Sequence, residues 1–182
     1  MHGAAIQHIL AKTVRDSAAM LDATHGAEHS SLFKIEHPKS SYLDAMQHPP
    51  KKLKIAFSTH SPIGTHVSKD AIAAVQHTAK LLESLGHTVV EDTPPIDGMA
   101  LAKDFITTWF SQFSYILDQI KQQYQAKNSD FELDSLALAA FGGQTTALEY
   151  IHNLNNWGVY ATKMNHFFDR YDIYLTPATA TV

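Results

Sequence analysis

The first candidate for chemistry in this sequence is a serine followed three residues later by a lysine, in the run Ser31-Leu32-Phe33-Lys34. A serine hydroxyl is a weak nucleophile until a neighbouring base accepts its proton, and penicillin-recognising enzymes use this spacing to place a lysine beside the serine. Those enzymes also require Ser-Asp-Asn and Lys-Thr-Gly segments, and the sequence contains neither. Because short motifs often match by chance, we interpret the tetrad as a coincidence.

The histidines are the second candidate, since the chain has 12 of them. His25 and His29 are four residues apart, which is the spacing of two zinc ligands on one helix. However, Gly26 lies between them, and no glutamate follows His25 as the zinc-protease motif requires. We therefore predict solvated or capping histidines, and neither a metal site nor a cofactor.

The loop from Ser58 to His66 is the third candidate, because it follows a predicted strand and leads into a predicted helix. Anions bind at such helix N-termini in doubly wound folds. The loop lacks both the Gly-x-Gly-x-x-Gly and the Gly-Lys-Ser/Thr pattern, so an ordinary turn is favoured. Binding of a small ligand or an anion near Ser58 to Ser68 remains as an alternative.

The composition excludes several other classes of function. The net charge is −4, and the one basic run is Lys51-Lys52-x-Lys54, which gives little support for a nucleic-acid partner. There is no cysteine, so disulfides and thiolate metal sites are excluded. The N-terminus has no signal-peptide pattern, and the longest apolar run, Leu136 to Phe141, is too short to cross a membrane. We expect a cytoplasmic protein with no membrane partner.

The elements that must position any site begin with a helix over Val14 to Ala23. Thr13 and Asp16 form a capping-box arrangement at its start. Ala27 to Lys52 is a long loop, with one short helical turn over Ser41 to Met46. A loop of this length in a compact domain usually covers another part of the protein.

A strand–helix–strand unit follows this loop. Leu53 to Ser58 has the length and the flanking prolines of a strand, and Thr88 to Glu91 is a second one. The helix between them is capped by Ser68 and stops at Gly86. Because its connections are short, the two strands are predicted to be parallel.

The chain from Asp97 onward is predicted to be mostly helical. A helix continues to Tyr124, a turn covers Lys127 to Asp130, and a shorter helix runs from Phe131 to Phe141. A second capping box, Thr146 with Glu149, opens a long helix that precedes a strand over Ile173 to Leu175. The fold class is therefore α/β, with a small parallel βαβ sheet and a large helical portion. Since three strands are few for this length, we predict that they belong to a larger sheet.

Two of the predicted helices carry aromatic residues at helical spacing. We interpret most of this stripe as core packing between the helices, because aromatic residues at this spacing are usually buried. The alternative is that part of it lines an apolar cleft or faces chain that lies elsewhere. The stripe consists of Trp109, Phe110, Phe113, Tyr115, Trp157, Tyr160, Phe167 and Phe168.

The order and spacing of four segments resemble the amidase signature family. No single segment is diagnostic, but together they run through most of the chain. The stretch from Ala56 to Thr65 is most similar to the aminohexanoate-cyclic-dimer hydrolases within that family. The four segments are Ala11 to Ala23 followed by Gly26-Ala27, Leu53 to Ser58 followed by Ser61-Pro62-x-Gly64-Thr65, Val67-x-x-Asp70 through Val89, and Phe168-x-x-Tyr171-Asp172-x-Tyr174-Leu175-Thr176-Pro177.

The resemblance implies an amidase-type mixed sheet and the hydrolysis of linear or cyclic carboxamides through an acyl-serine intermediate. Members of the family use a nucleophilic serine, a bridging serine and a lysine base, and the serines lie in a Gly/Ser-rich block. No such block occurs in the 182 residues. We therefore expect a single partial amidase domain, with residues 1–50 as a helix plus wrapping loop and residues 51–182 as the βαβ and helical part.

Several expectations follow from this resemblance. The chain is expected to be an interior fragment without a catalytic residue of its own, inactive alone, whose partners are the missing remainder of the amidase chain and a small amide substrate. Thr176 and Pro177 match a motif that ends a strand near the family's substrate cleft, so they are predicted to line it. The alternatives are a small-ligand or anion-binding α/β module, and a domain that forms homo-oligomers through its exposed helix faces.

Overall fold

The computed structural model describes residues 7–29, 31 and 35–181. The described chain separates into two compact units, one formed by the residues before Lys52 and the other by those from Lys52 onward. Three of the four residues of the Ser-x-x-Lys tetrad, Leu32, Phe33 and Lys34, lie outside the described residues. The structure therefore does not test that interpretation.

The first unit contains two helices, α1 (Val14–Thr24) and α2 (Tyr42–Ala45). The hydroxyl of Thr13 accepts a hydrogen bond from the backbone N–H of Asp16 at 3.1 Å, which confirms the Thr13 half of the predicted capping box. The carboxylate of Asp22 accepts from the N–H groups of Tyr42 and Leu43 at 2.6 and 3.0 Å. These bonds join the two helices by satisfying backbone donors that a helix start leaves without partners.

The second unit is built on a sheet of three parallel strands, β1 (Lys54–Phe57), β2 (Thr88–Glu91) and β3 (Ile173–Leu175). The strand order is β2-β1-β3, and Ile55 pairs with Val89 on one side and with Ile173 on the other. Helix α3 (Lys69–Ser84) connects β1 to β2. The predicted parallel βαβ unit is confirmed, and β3 joins it at the free edge of β1.

The connection from β2 to β3 is helical, as predicted. It consists of α4 (Gly98–Tyr124), a 3-10 turn (Asn128–Asp130), α5 (Leu133–Gly142) and α6 (Ala147–Phe168). At the start of α6, the N–H of Glu149 donates to the Thr146 hydroxyl at 3.2 Å, and the N–H of Thr146 donates to the Glu149 carboxylate at 2.8 Å. This reciprocal pair is the predicted capping box.

The core of the second unit lies where α6 meets the sheet. Ala56 is fully buried, Phe167 is 1% exposed, and Tyr171 and Tyr174 pack against them. The interpretation of the aromatic stripe as core is right for Phe167 and Tyr160. It is wrong for Trp109, Tyr115 and Phe168, which are 42%, 64% and 44% exposed. Spacing identifies one face of a helix, but the helix needs a neighbour on that face before its aromatic residues are buried.

A carboxylate after β2 ties that strand to the end of α6. Asp92 accepts from the Tyr171 hydroxyl at 2.7 Å and from the Thr93 N–H at 2.8 Å, and the Arg170 guanidinium lies 3.3 Å away. The hydrogen bond from Tyr171, followed by that from Thr93, holds the pKa of Asp92 below its ordinary value of 3.8. A carboxyl with a lowered pKa stabilises the folded state above its unfolded pKa, and this stabilisation is lost as the pH falls through the folded value.

We therefore expect Asp92→Asn to lower the free energy of unfolding at pH 7 and to have a smaller effect at an acidic pH below the lowered folded-state pKa of Asp92, where Asp92 of the unsubstituted chain is itself protonated. Urea unfolding at both pH values measures the difference. Asp118→Asn, at an exposed position on α4, is the matched control. Its effect on the free energy of unfolding should be similar at the two pH values. Equal destabilisation by Asp92→Asn at both pH values would contradict the prediction.

Candidate functional site

A cleft of about 550 Å³ opens at the carboxyl ends of the three parallel strands. Its walls come from the loops that follow β1, β2 and β3, together with residues of α4 and α6. This volume is within the range of about 300–1,000 Å³ that is usual for small-molecule sites. The lining residues are His60, Ser61, Pro62, Val67, Thr93, Pro94, Ile96, Gly98, Leu101, Met164, Tyr174, Thr176, Pro177, Ala178, Thr179 and Ala180.

The topology of the sheet explains why the cleft lies there. The chain leaves β1 for β2 on one side and later returns to β3 on the other side, so the direction of strand addition reverses at β1. In open α/β sheets, the loops diverge at such a reversal and leave a crevice at the carboxyl ends of the strands. The loop after β1 and the segment after β3 form the two sides of this crevice.

Thr176 and Pro177 both line the cleft, directly after β3. The segment Thr176–Ala180 then crosses toward α3, where the carbonyl of Ala180 accepts from the Ser68 N–H at 2.8 Å. One bond therefore fixes the far end of this wall to the start of a helix. The sequence-predicted residues are in the cleft, and their contact with a substrate stays a prediction.

Tyr174 lines the cleft, and its place there was not predicted from the sequence. Its ring contacts Phe167 in the core, with ring centroids 5.2 Å apart. Burial raises the pKa of its hydroxyl, while a hydrogen bond with Ser58 acts in the opposite direction. Ser58 is itself buried and accepts from the N–H of His60 at 3.1 Å. Tyr174 is thus held between the core and the first loop.

Gly98, the first residue of α4, allows that helix to approach the loop after β1. A Cβ at this position would lie 2.0 Å from the carbonyl oxygen of Pro62. No side chain fits at that distance, so only glycine permits this contact between the two backbones. Pro62 and Gly98 therefore meet in the lining of the cleft.

Two helices begin at the cleft, and their own residues occupy their first N–H groups. The Asp97 carboxylate accepts from the N–H groups of Met99 and Ala100 at 3.0 and 3.1 Å. At the start of α3, the Ser68 hydroxyl accepts from the Ala71 N–H at 3.3 Å. Because Asp97 already places a negative charge at the start of α4, these caps disfavour the anion-binding alternative.

The polar side chains of the cleft suit binding better than bond cleavage. The Ser61 hydroxyl is hydrogen-bonded to the Thr65 hydroxyl at 2.7 Å and, among the described residues, to no base. His60 lies 4.0 Å from the Glu91 carboxylate, and both side chains are exposed. A nucleophilic serine needs a base within hydrogen-bond reach of its hydroxyl. The cleft can therefore hold and orient a ligand through its hydroxyl groups and its apolar surface.

The histidine candidate His25 belongs to the first of the two units. The His25 ring contacts the rings of His37 and Tyr42, with centroids 5.3 and 5.8 Å apart. Within residues 7–29, 31 and 35–181, no group of three or more histidine, aspartate or glutamate side chains is arranged to hold a metal ion. None of the described helices is both long enough and apolar enough to cross a bilayer.

Comparison with known proteins gives consistent matches. The family model named Amidase matches residues 3–182. A lipoamidase of Enterococcus faecalis is 29% identical over 180 residues, which are 98% of this chain and 23% of that protein. A 6-aminohexanoate-cyclic-dimer hydrolase of a Pseudomonas strain is 31% identical over 107 residues, or 58% of this chain and 22% of that protein.

The fold has also been observed in a solved structure. The structure of a 6-aminohexanoate cyclic dimer hydrolase superposes with a TM-score of 0.81 and 22% identity, covering 88% of this chain and 34% of that one. The chain thus spans roughly a quarter to a third of the length of the proteins that it matches. This chain is therefore similar to the hydrolase in the arrangement of its sheet and helices as well as in its sequence.

Proposed function

Because this chain belongs to the amidase family, we propose that it is part of an amide hydrolase that cleaves a C–N bond with water. In the proposed reaction, a serine oxygen adds to the amide carbonyl carbon while a base takes the hydroxyl proton. The amine leaves with a proton, and water then hydrolyses the acyl-serine ester. The serines and the lysine of this chemistry would come from another part of the amidase chain.

The proposed contribution of this chain is scaffold and one wall of the substrate cleft. A single observation carries this assignment: Thr176 and Pro177 line a cleft at the carboxyl ends of the strands, where ligands bind in open α/β sheets. Preformed walls of this kind accelerate reactions by fixing a substrate close to the attacking group. The substrate would be a small linear or cyclic carboxamide, and the proposed location is the cytoplasm.

The first test uses the purified chain and hexanamide. We expect weak, saturable binding that shifts the methyl NMR signals of Met164 and Thr176. We also expect no release of ammonia above a heat-denatured control, since the chemistry of acyl transfer needs a serine activated by a base. Ammonia release by the chain would overturn the assignment of a purely structural role.

Thr176→Lys should abolish this binding, because a long charged side chain would enter the cleft. Thr88→Lys is the matched control, since Thr88 is also exposed but lies at the opposite, amino end of the sheet. Its binding should equal that of the unsubstituted chain. Hexanamide shifts that survive Thr176→Lys would place the ligand elsewhere and refute the proposed cleft.

A further inference from the structure

We propose that the cleft accepts an uncharged aliphatic portion of the substrate and discriminates against amides that carry a carboxylate or an ammonium group there. This inference rests on the proposed function and narrows it to a class of substrate. It follows from the chemical types of the lining residues, from their depth, and from the state of the charged groups around them.

The lining residues are almost entirely uncharged. Aspartate, glutamate, lysine and arginine are all missing from the set that forms the cleft. Its ionisable members are His60, which is exposed at the edge, and Tyr174. A charged ligand group that enters this space loses its hydration and gains no counter-ion, and such a transfer is costly.

The large aliphatic side chains and the threonines of the lining differ in their exposure. Val67, Ile96, Leu101 and Met164 are half-buried and form what we call the floor. The hydroxyl-bearing residues Thr93, Thr176 and Thr179 are exposed and form what we call the rim. This division matches a ligand with an apolar body and one neutral polar end. The alkyl chain would lie on the floor, and the amide would be hydrogen-bonded at the rim.

Two carboxylates close to the cleft already have partners inside the protein. Asp97 caps α4, and Asp92 accepts from Tyr171 and lies beside Arg170. Neither carboxylate belongs to the lining, so neither is available to balance an ammonium group. The selection against charge is therefore a property of the whole cleft and does not depend on one residue.

The experiment measures affinities of the whole chain for matched amides by methyl NMR. Hexanamide is compared with 6-aminohexanamide and with the monoamide of adipic acid, which place an ammonium or a carboxylate at the end of a similar chain. We expect both charged amides to bind at least about tenfold more weakly. Between butanamide and hexanamide, each added methylene should tighten binding by up to about fourfold.

A charge placed on the floor should reverse this selection. Leu101→Lys is expected to bind the adipic monoamide more tightly than hexanamide, because the new ammonium group supplies the missing counter-ion. If this variant does not fold, Ile96→Lys places the same charge on the floor from the loop after β2, where the same reversal is expected. Thr88→Lys, at the other end of the sheet, is the control for added charge.

The possible outcomes separate this inference from the proposed function. Binding of a charged amide as tightly as hexanamide overturns the inference and leaves the cleft assignment intact. Absence of binding by every amide overturns both. Selection for hexanamide that Leu101→Lys or Ile96→Lys reverses supports both.

Discussion

Gly142→Ala is expected to lower the free energy of unfolding by about 3 kcal/mol or more, which is the upper range for overpacking a core. Gly142 is buried in the last turn of α5. A Cβ there would lie 1.8 Å from the carbonyl oxygen of Phe110 and 2.7 Å from the backbone nitrogen of Ser111. Since both atoms belong to the backbone of α4, no side-chain rotation relieves the clash. The two helices must move apart.

Urea unfolding followed by circular dichroism measures this loss. For a chain of this size, about 1 kcal/mol corresponds to about 2–4 °C in Tm, so a fall of about 6–12 °C is expected. A Gly142→Ala variant within about 0.5 kcal/mol of the unsubstituted chain would show that α4 and α5 do not pack as described.

Gly158→Ala is the matched control with the opposite sign. Gly158 lies on the exposed face of α6, and no atom lies within 4 Å of a Cβ built there. Alanine favours a helix over glycine by about 0.8–1.0 kcal/mol, so this variant should be more stable. Two identical substitutions in two helices thus separate helix propensity from helix packing.

Gly142 also shows where prediction from the sequence stops. The pair Gly142-Gly143 correctly predicts that a helix ends there, because glycine is common at helix ends. The close approach of α4 is invisible in the local pattern, since nothing near Gly142 identifies the helix that packs against it. The same holds for the strand order. Each strand is recognisable from its own residues, whereas the pairing of Ile55 with Ile173 joins distant parts of the chain.

The candidate cleft was predictable to a similar extent. Thr176 and Pro177 were accessible through resemblance to a family, and the loop after β1 through the general rule for open α/β sheets. The place of Leu101 and Met164 in the cleft could not be predicted, because helical spacing identifies the apolar face of a helix and does not show that this face borders a cleft. Tyr174 lies in the middle of a three-residue strand. The alternation of side chains over so few residues does not show whether its side chain belongs to the core or to the cleft.

Asn153→Leu is expected to have the second large effect, because Asn153 is central to a buried hydrogen-bond network between α4 and α6. Its amide nitrogen donates to the backbone carbonyl of Asp104 at 2.7 Å. Its amide oxygen accepts from the Trp157 indole N–H at 3.0 Å and from the hydroxyl of Thr108. Asn153 is 3% exposed and Thr108 is fully buried, so water cannot replace these bonds.

The same network includes Tyr160, whose hydroxyl donates to the Asp104 carboxylate at 2.6 Å. This hydrogen bond, with the contribution of burial, raises the pKa of Tyr160 to about 12. Tyr160 therefore remains a protonated donor at neutral pH. Three residues of α6, namely Asn153, Trp157 and Tyr160, thus connect to Asp104 and Thr108 of α4.

Leucine at position 153 has nearly the shape of asparagine but can make none of these bonds. The Thr108 hydroxyl would lose its acceptor, although it would still accept from the Trp157 N–H at 3.2 Å, and the Asp104 carbonyl would lose a donor. Each buried hydrogen-bonding group left unsatisfied costs about 1–3 kcal/mol. We expect a total loss of about 3 kcal/mol, measured by urea unfolding together with the fluorescence of Trp157. Asn156→Leu is the matched control, since Asn156 is exposed and donates to Asp104 at 3.0 Å. It should cost less than about 1 kcal/mol.

This network also bears on the cleft. Leu101 precedes Asp104 by one helical turn, and Met164 follows Tyr160 by one turn, so each cleft residue lies on the same helix face as a member of the network. Loss of Asn153 should therefore loosen the floor and weaken hexanamide binding even at temperatures where the variant is folded. Asn156→Leu should leave that affinity unchanged. If Asn153→Leu destabilises the chain but binds hexanamide normally, the network stabilises the helices without positioning the cleft.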